Sequence, residues 1–179
     1  MTQPIPFADI DSTEPAELVA AIKARRGGEL LKLDRMLLHS PNFADGWNYF
    51  LGKVRTELTI PAQLAELAIC YIAKLNGADY EFEQHAPLFL RAGGRAEQVS
   101  ALDRAPVDKQ LFSSLELAVL ALTKEMTHEI RVQDSTLEAL KLLLGDEKKL
   151  VEIIGVVAAY NMVSRFLVAA GVKTEKDEE

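Results

Sequence analysis

Apolar residues recur at helical spacing along almost the whole chain, and this periodicity constrains the fold more than any other feature. One segment shows it clearly, with apolar side chains three or four positions apart at Leu64, Leu67, Ala68, Tyr71, Ile72 and Leu75. No segment has the sustained alternation of apolar and polar residues that a half-buried strand requires. The sequence therefore predicts an all-α protein.

Glycine and proline residues divide this pattern into separate helices. The predicted helices cover residues 13–26, 29–39, 41–58, 61–76, 78–92, 96–102, 113–126, 135–144 and 147–170. Ser113 with Glu116, and Ser135 with Glu138, have the spacing of capping boxes. Pro87 lies inside the fifth predicted helix, where we expect it to kink the helix or end its regular part.

The length of 179 residues suits one domain with short tails. We expect an N-terminal arm and helix over residues 1–28, the main helical domain over 29–170, and a charged, disordered tail over 171–179. Cys70 is the one cysteine, so no disulfide can form within the chain. A chain of this size can bury a sufficient core without one.

The chain is acidic, with a formal net charge of −7. This charge argues against nucleic acid as the main partner, since phosphate binding needs clustered Lys and Arg. Lys23, Arg25 and Arg26 form a basic group too short to change that, and we interpret them as a solvated helix end. The N-terminus lacks the pattern of a signal peptide, and the longest apolar run, 153–160, is too short for a membrane span. We expect a soluble, cytoplasmic protein without a membrane partner.

Polar side chains capable of chemistry are concentrated between residues 66 and 85. The helices on either side of Asn76-Gly77 should be antiparallel neighbours, because this pair is a strong helix stop. Glu66 lies ten residues before Asn76, and His85 lies eight residues after Gly77. At equal rise per residue the two side chains fall at nearly the same height. The sequence therefore predicts that Glu66 and His85 face each other.

Glu81 lies one helical turn before His85, close enough to hold the imidazole and raise its pKa. A carboxylate and an imidazole on rigid helices can act as general acid and base. On spacing alone, the more ordinary interpretation is a satisfied polar pair between packed helices.

The same segment resembles the carboxymuconolactone decarboxylase family, which includes the alkylhydroperoxidase-D-like proteins. Redox members carry a Glu, eleven residues, Cys-x-x-Cys, three residues and a His, so that Glu and His are nineteen apart, as Glu66 and His85 are here. The phrases ELAI, NGADYE and QH resemble the decarboxylase-like branch. The resemblance covers roughly residues 30–165 and includes Pro41, Trp47, Glu152, Tyr160 and Asn161.

Both motif cysteines are replaced in this chain. Their positions hold Ala78 and Glu81, and Tyr80 stands where a histidine often precedes the second cysteine. A disulfide cycle needs two thiols in reach of each other, so the dithiol mechanism cannot operate within one chain. The resemblance implies a helical bundle with the motif helices at its centre, assembled as a homo-oligomer, either a trimer or a hexamer.

The preferred functional hypothesis is acid–base chemistry on a small carboxylated or lactone substrate, as in a lyase of the decarboxylase branch. His85 would donate or accept the proton at carbon, Glu66 and Glu81 would orient it, and Tyr80 would hydrogen-bond a developing oxyanion. Further candidates for the pocket wall are Gln84, Tyr160 and Asn161. We expect no metal or other cofactor, since Glu66, Glu81 and His85 lack the paired histidines typical of a zinc site.

Two alternatives remain open. The first is a peroxidase-like oxidoreductase that uses Cys70 and an external thiol for regeneration. A cysteine among apolar neighbours is more often a core residue, and a nearby carboxylate such as Glu66 raises a thiol pKa. The second alternative is a family scaffold without catalytic function.

Overall fold

Helices account for all the regular secondary structure of residues 4–10, 15–102 and 107–174, which are the residues that the computed structural model describes. A 3₁₀ turn, Lys109–Leu111, lies between α6 and α7. The helices are α1 Ala16–Arg26, α2 Lys32–Leu37, α3 Pro41–Thr56, α4 Ala62–Asn76, α5 Asp79–Arg91, α6 Ala96–Leu102, α7 Ser114–His128, α8 Asp134–Leu144 and α9 Glu147–Ala170. The all-α prediction is confirmed.

The central element is α4, which packs against α5, α7 and α9. Its side chains face neighbours on nearly every side, and the fully buried ones include Leu67, Ala68, Cys70 and Ile72. Gly77 ends α4 in the left-handed region, with φ of 65°, and the chain then reverses into α5. The antiparallel α4–α5 hairpin is thus held rigidly in the middle of the bundle.

The main apolar core lies between α4, α7, α8 and α9 and extends to Trp47 and Leu51 of α3. A smaller cluster on the other side of α4 surrounds Cys70 and includes Phe89 and Phe112. Because α4 has apolar side chains in both clusters, burial on two faces fixes its rotation, and with it the direction of its polar side chains.

The helices α1 and α2 form a cover beside α3, joined by an ion pair. Arg26 donates from Nε and Nη2 to the two carboxylate oxygens of buried Asp34, each at 2.9 Å. A planar guanidinium matched to a carboxylate in this way defines both distance and orientation. The C-terminal end of α1 is therefore held beside the start of α2.

Two predicted helix starts are wrong. The second helix is shorter than residues 29–39, because the backbone N–H of Leu31 donates to the Asp34 carboxylate and the helix begins only at Lys32.

The Ser135–Glu138 capping box does not form. The helix α8 instead begins at Asp134, and its first turn bonds to the Glu125 side chain on α7 through Gln133 and Thr136.

Other local predictions are confirmed. Ser113 and Glu116 form the predicted capping box of α7. The helix α6 has the predicted bounds, and α9 ends at Gly171 as expected. Of the two effects expected of Pro87, ending the regular part of the helix is wrong, because α5 continues past it to Arg91.

The chain ends are described in part. Thr13 and Glu14 of the predicted first helix lie outside the described residues, and Pro15 directly precedes α1. Of the predicted disordered tail, residues 175–179 also lie outside, whereas Val172 and Thr174 are buried.

The helix α9 is long and apolar enough to cross a membrane by length and composition. However, 56% of its most apolar window is buried inside the bundle. Its burial against α4, α7 and α8 explains the apolar composition as that of a core helix.

Candidate active site

The centre of the site is a hydrogen bond between α4 and α5. His85 Nδ1 lies 2.7 Å from Glu66 Oε2, and both side chains are mostly buried. The reversal at Gly77 brings the two residues to the same height, as the sequence register predicts. The predicted contact between Glu66 and His85 is therefore present.

Two further side chains complete this group from other helices. Arg55 of α3 donates from Nη1 to Glu66 Oε1 at 2.5 Å, and the Tyr160 phenol of α9 lies near enough to raise the pKa of Arg55. The Tyr160 ring packs edge-on against the His85 imidazole, with ring centroids 5.1 Å apart. Each oxygen of the Glu66 carboxylate thus has its own partner, and the imidazole contacts both Glu66 and the Tyr160 ring.

The protonation of the pair follows from its surroundings. Burial lowers the pKa of His85, and this effect outweighs the opposing influence of Glu66. Burial would raise the pKa of Glu66, but the bonds from His85 and Arg55 outweigh it, so that pKa is lowered. An ionised carboxylate only accepts, so the imidazole proton must lie on Nδ1. At neutral pH His85 is neutral, with an unprotonated Nε2.

A cavity of about 110 Å³ opens beside His85. Among the described residues, none hydrogen-bonds to His85 Nε2, so this nitrogen is available to a ligand. The cavity wall combines apolar side chains with polar ones, and it is lined by Arg25, Arg26, Leu31, Leu33, Trp47, Leu51, Arg55, Gln84, His85, Leu88, Tyr160 and Val163. The predicted pocket residues Gln84 and Tyr160 are both in this wall.

Arg25 and Arg26 are functional candidates that sequence reasoning missed. We expected a solvated helix end, whereas both side chains are about four-fifths buried and line the cavity. Their proximity to His85 arises from the packing of α1 and α2 on α3. The only sequence signal was an Arg-Arg pair directly before Gly27-Gly28, which is equally typical of any helix end.

Glu81 does not hold His85, contrary to the prediction. Its carboxylate turns into the core and accepts a hydrogen bond from the Ser164 hydroxyl of α9. The side chain is 2% exposed, and burial raises its pKa to about 8. A one-turn spacing puts two side chains on one helix face, but α9 offers Glu81 a closer partner. The prediction that a carboxylate raises the pKa of His85 is also wrong in its net direction, because burial dominates.

Tyr80 and Asn161 lie away from the cavity. Tyr80 is buried, its hydroxyl lies near enough to the backbone of Lys32 and Leu33 for them to affect its pKa, and it does not line the cavity. Asn161 donates to Thr127 and accepts from Asn76, and in this way it joins α9 to α7 and α4. Both residues are structural in this arrangement.

Cys70 is fully buried in the smaller apolar cluster. Burial first, and then the charges of Glu66 and Glu81, raise the pKa of its thiol strongly. A peroxidatic cysteine must be reached by its substrate and react as a thiolate. The surroundings of Cys70 provide neither condition.

Across residues 4–10, 15–102 and 107–174, no group of three His, Cys, Asp or Glu side chains is placed to hold a metal ion. The arrangement that remains is an ionised carboxylate, a neutral imidazole and three guanidinium groups around a small cavity. Such a set can bind an anion and move a proton.

Comparisons with known proteins establish the fold. No protein-family model matches the sequence, and no curated protein matches it. A solved crystal structure described as an uncharacterized peroxidase-related protein from Silicibacter sp. TM1040 superimposes with a TM-score of 0.77. The match has 15% sequence identity and covers 97% of this chain and 94% of that chain. The chain is therefore an all-helical protein that shares the fold of that peroxidase-related protein over nearly its full length.

Proposed function

We propose that the protein is a decarboxylase-like member of the carboxymuconolactone decarboxylase family, which performs acid–base chemistry at a carbon atom of a small carboxylated or lactone substrate. The observation that carries this proposal is the neutral His85, which is held at Nδ1 by ionised Glu66 and lines a cavity, while no described residue hydrogen-bonds to its Nε2. The nineteen-residue spacing of these two residues and the shared fold support it.

His85 is the proton carrier in this reaction. Its unprotonated Nε2 accepts a proton from a substrate carbon next to a carbonyl group, and the Glu66 carboxylate stabilises the resulting imidazolium. In a decarboxylation, the bond to the leaving carboxylate breaks and its electron pair moves into the conjugated carbonyl. CO₂ leaves, and the carbon that carried it is protonated by the imidazolium that forms when His85 Nε2 takes up one proton from solvent, so the decarboxylation consumes one proton.

Arg55 and Tyr160 take the role first assigned to Tyr80. Both line the cavity next to His85, where negative charge develops on a carbonyl oxygen. The pKa of Arg55 is raised, since the effects of Tyr160 and Glu66 outweigh burial, and it remains a cation throughout. A fixed cation and a phenol at this position stabilise an oxyanion in a site with little water.

The test is proton exchange and decarboxylation followed by NMR in D₂O, with carboxymuconolactone and simpler carboxylated γ-lactones as substrates. We expect deuterium at the reacting carbon, and His85→Asn should reduce the rate by about 10²- to 10⁴-fold, the usual contribution of a general acid–base group. Glu66→Gln should reduce it less, because the imidazole remains but loses its ionic partner.

The control is Cys70→Ala, which removes the thiol from the apolar cluster and should leave the exchange rate within about twofold. Circular dichroism checks that each variant is folded. Unchanged turnover in a folded His85→Asn protein would eliminate the acid–base assignment, and loss of activity in Cys70→Ala alone would favour the thiol alternative.

A further inference from the structure

The cavity beside His85 has more positive than negative charge around it. Arg25, Arg26 and Arg55 all line it, whereas the carboxylates that pair with these arginines are Asp34 and Glu66. With His85 neutral, this group has an excess of one positive charge. Buried charges without a partner are costly, so the group favours a ligand with one negative charge.

Arg25 is the least neutralised of the three arginines. Its Nε donates to the neutral side-chain oxygen of Asn48, and its Nη2 is 3.7 Å from Asp34 Oδ1, which is too long for a hydrogen bond. Asp34 instead receives the close bonds from Arg26. Burial and then the charge of Arg26 lower the pKa of Arg25. The terminal nitrogens of Arg25 are therefore available to an anion in the cavity.

Asn48 and Asp34 also set the orientation of the guanidinium groups. Asn48 of α3 fixes Arg25 through Nε, and Asp34 fixes Arg26 through two bonds. A guanidinium held through one edge presents its other edge in a fixed plane, which matches a planar carboxylate better than a point charge does.

We propose that Arg25, supported by Arg26, is the subsite for a carboxylate that the substrate keeps during the reaction, so that small carboxylic acids bind through this one retained group. This inference rests on the proposed function, because it takes His85 at the same cavity as the reacting group. The carboxylate anchors one end of the substrate at α1, and the other end contacts His85 Nε2.

The test compares two ligands that differ in one group, namely 5-oxotetrahydrofuran-2-carboxylate and the neutral γ-butyrolactone. Dissociation constants are measured by ligand-observed NMR at low ionic strength, where charge effects are least screened. We expect the carboxylate to bind at least about tenfold more tightly, and Arg25→Gln to remove most of this preference. Arg25→Lys should recover only part of it, because Lys keeps the charge and loses the planar geometry.

The matched control is Arg91→Gln, an exposed arginine at the end of α5, which should leave both dissociation constants unchanged. Inorganic phosphate is the competing anion, and tighter binding of phosphate than of the carboxylate would overturn the carboxylate assignment. Equal affinity of the wild-type protein for the two lactones would overturn the proposal without any variant. The same holds if neither lactone has a dissociation constant below about 10 mM, which corresponds to a binding free energy of roughly −2.7 kcal/mol.

The binding measurement separates this proposal from the proposed function. Arg25-dependent carboxylate binding without deuterium exchange would eliminate the acid–base chemistry and leave the subsite intact. The reverse result would eliminate the subsite and leave the chemistry intact. In that case deuterium exchange would require His85, but Arg25→Gln would change neither the exchange rate nor the ligand affinity.

Discussion

At the scale of single residues, two glutamates of the α4–α5 hairpin have opposite environments. Glu66 has a bond from Arg55 and one from His85, and it is ionised at neutral pH. Glu81 has the Ser164 hydroxyl at one oxygen and no partner at Oε1 among the described residues. The difference between an ionised and a neutral carboxyl group follows from the presence of a cation in reach.

Glu81 should make stability depend on pH. Its pKa is about 8 in the folded protein and near 4.5 in an unfolded chain, so folding takes up a proton between these values. The stabilisation of the folded protein by this proton is complete below pH 4.5 and is lost as pH rises through 8. Glu81→Gln resembles the protonated form, so its stability advantage over the wild type should grow by about 3–4 kcal/mol between pH 5 and pH 8.

Urea unfolding at the two pH values measures this gain. The control is Glu97→Gln at an exposed position, whose free energy of unfolding should differ from that of the wild type by the same amount at both pH values. A stability difference for Glu81→Gln that does not change with pH would show that Glu81 is ionised in the folded protein.

The sequence predicted the Glu66–His85 contact because both residues lie on one hairpin of known register. It did not predict the Glu81–Ser164 bond, since these residues are 83 positions apart and meet only when α9 packs on α5. Arg25 and Arg26 were missed for the same reason. Local spacing determines which helix face a side chain occupies, and tertiary packing determines what that face contacts.

At the scale of secondary-structure elements, the α4–α5 reversal positions the site. Gly77 adopts φ of 65° with open space around its α-carbon, so an added methyl group meets no neighbour and only backbone strain opposes it. We expect Gly77→Ala to destabilise the protein by about 1–2 kcal/mol. The loss should also weaken the Glu66–His85 contact and therefore reduce activity.

Gly46→Ala provides the matched control for that substitution. Gly46 is an exposed position inside α3, also with open space around it, and there alanine should stabilise by about 0.5–1 kcal/mol. Thermal unfolding of both variants gives the comparison. A Gly77→Ala protein as stable as Gly46→Ala would contradict the account of the reversal.

At the scale of the whole molecule, the shared fold determines neither the oligomeric state nor the reaction. Fold alone does not determine function, so the proposal depends on the residues around the cavity. Several large apolar side chains are exposed on the single chain, among them Tyr49, Leu142 and Val151. The family resemblance predicts that the chain forms a homo-oligomer.

Light scattering after size exclusion measures the assembly directly. We expect a mass about three or six times that of the 19.8 kDa chain. A mass equal to one chain across the accessible concentration range would contradict the prediction.

The central claim is that neutral His85, held by ionised Glu66, accepts a proton from substrate carbon. The most direct test is the pH profile of deuterium incorporation into a carboxylated lactone by the wild-type protein. We predict a rate that rises with pH to a plateau, controlled by one group whose pKa lies below the ordinary histidine value of 6.5, because burial disfavours the imidazolium. A rate that does not change with pH, or one that rises only through a group with a pKa above 8, would contradict the account.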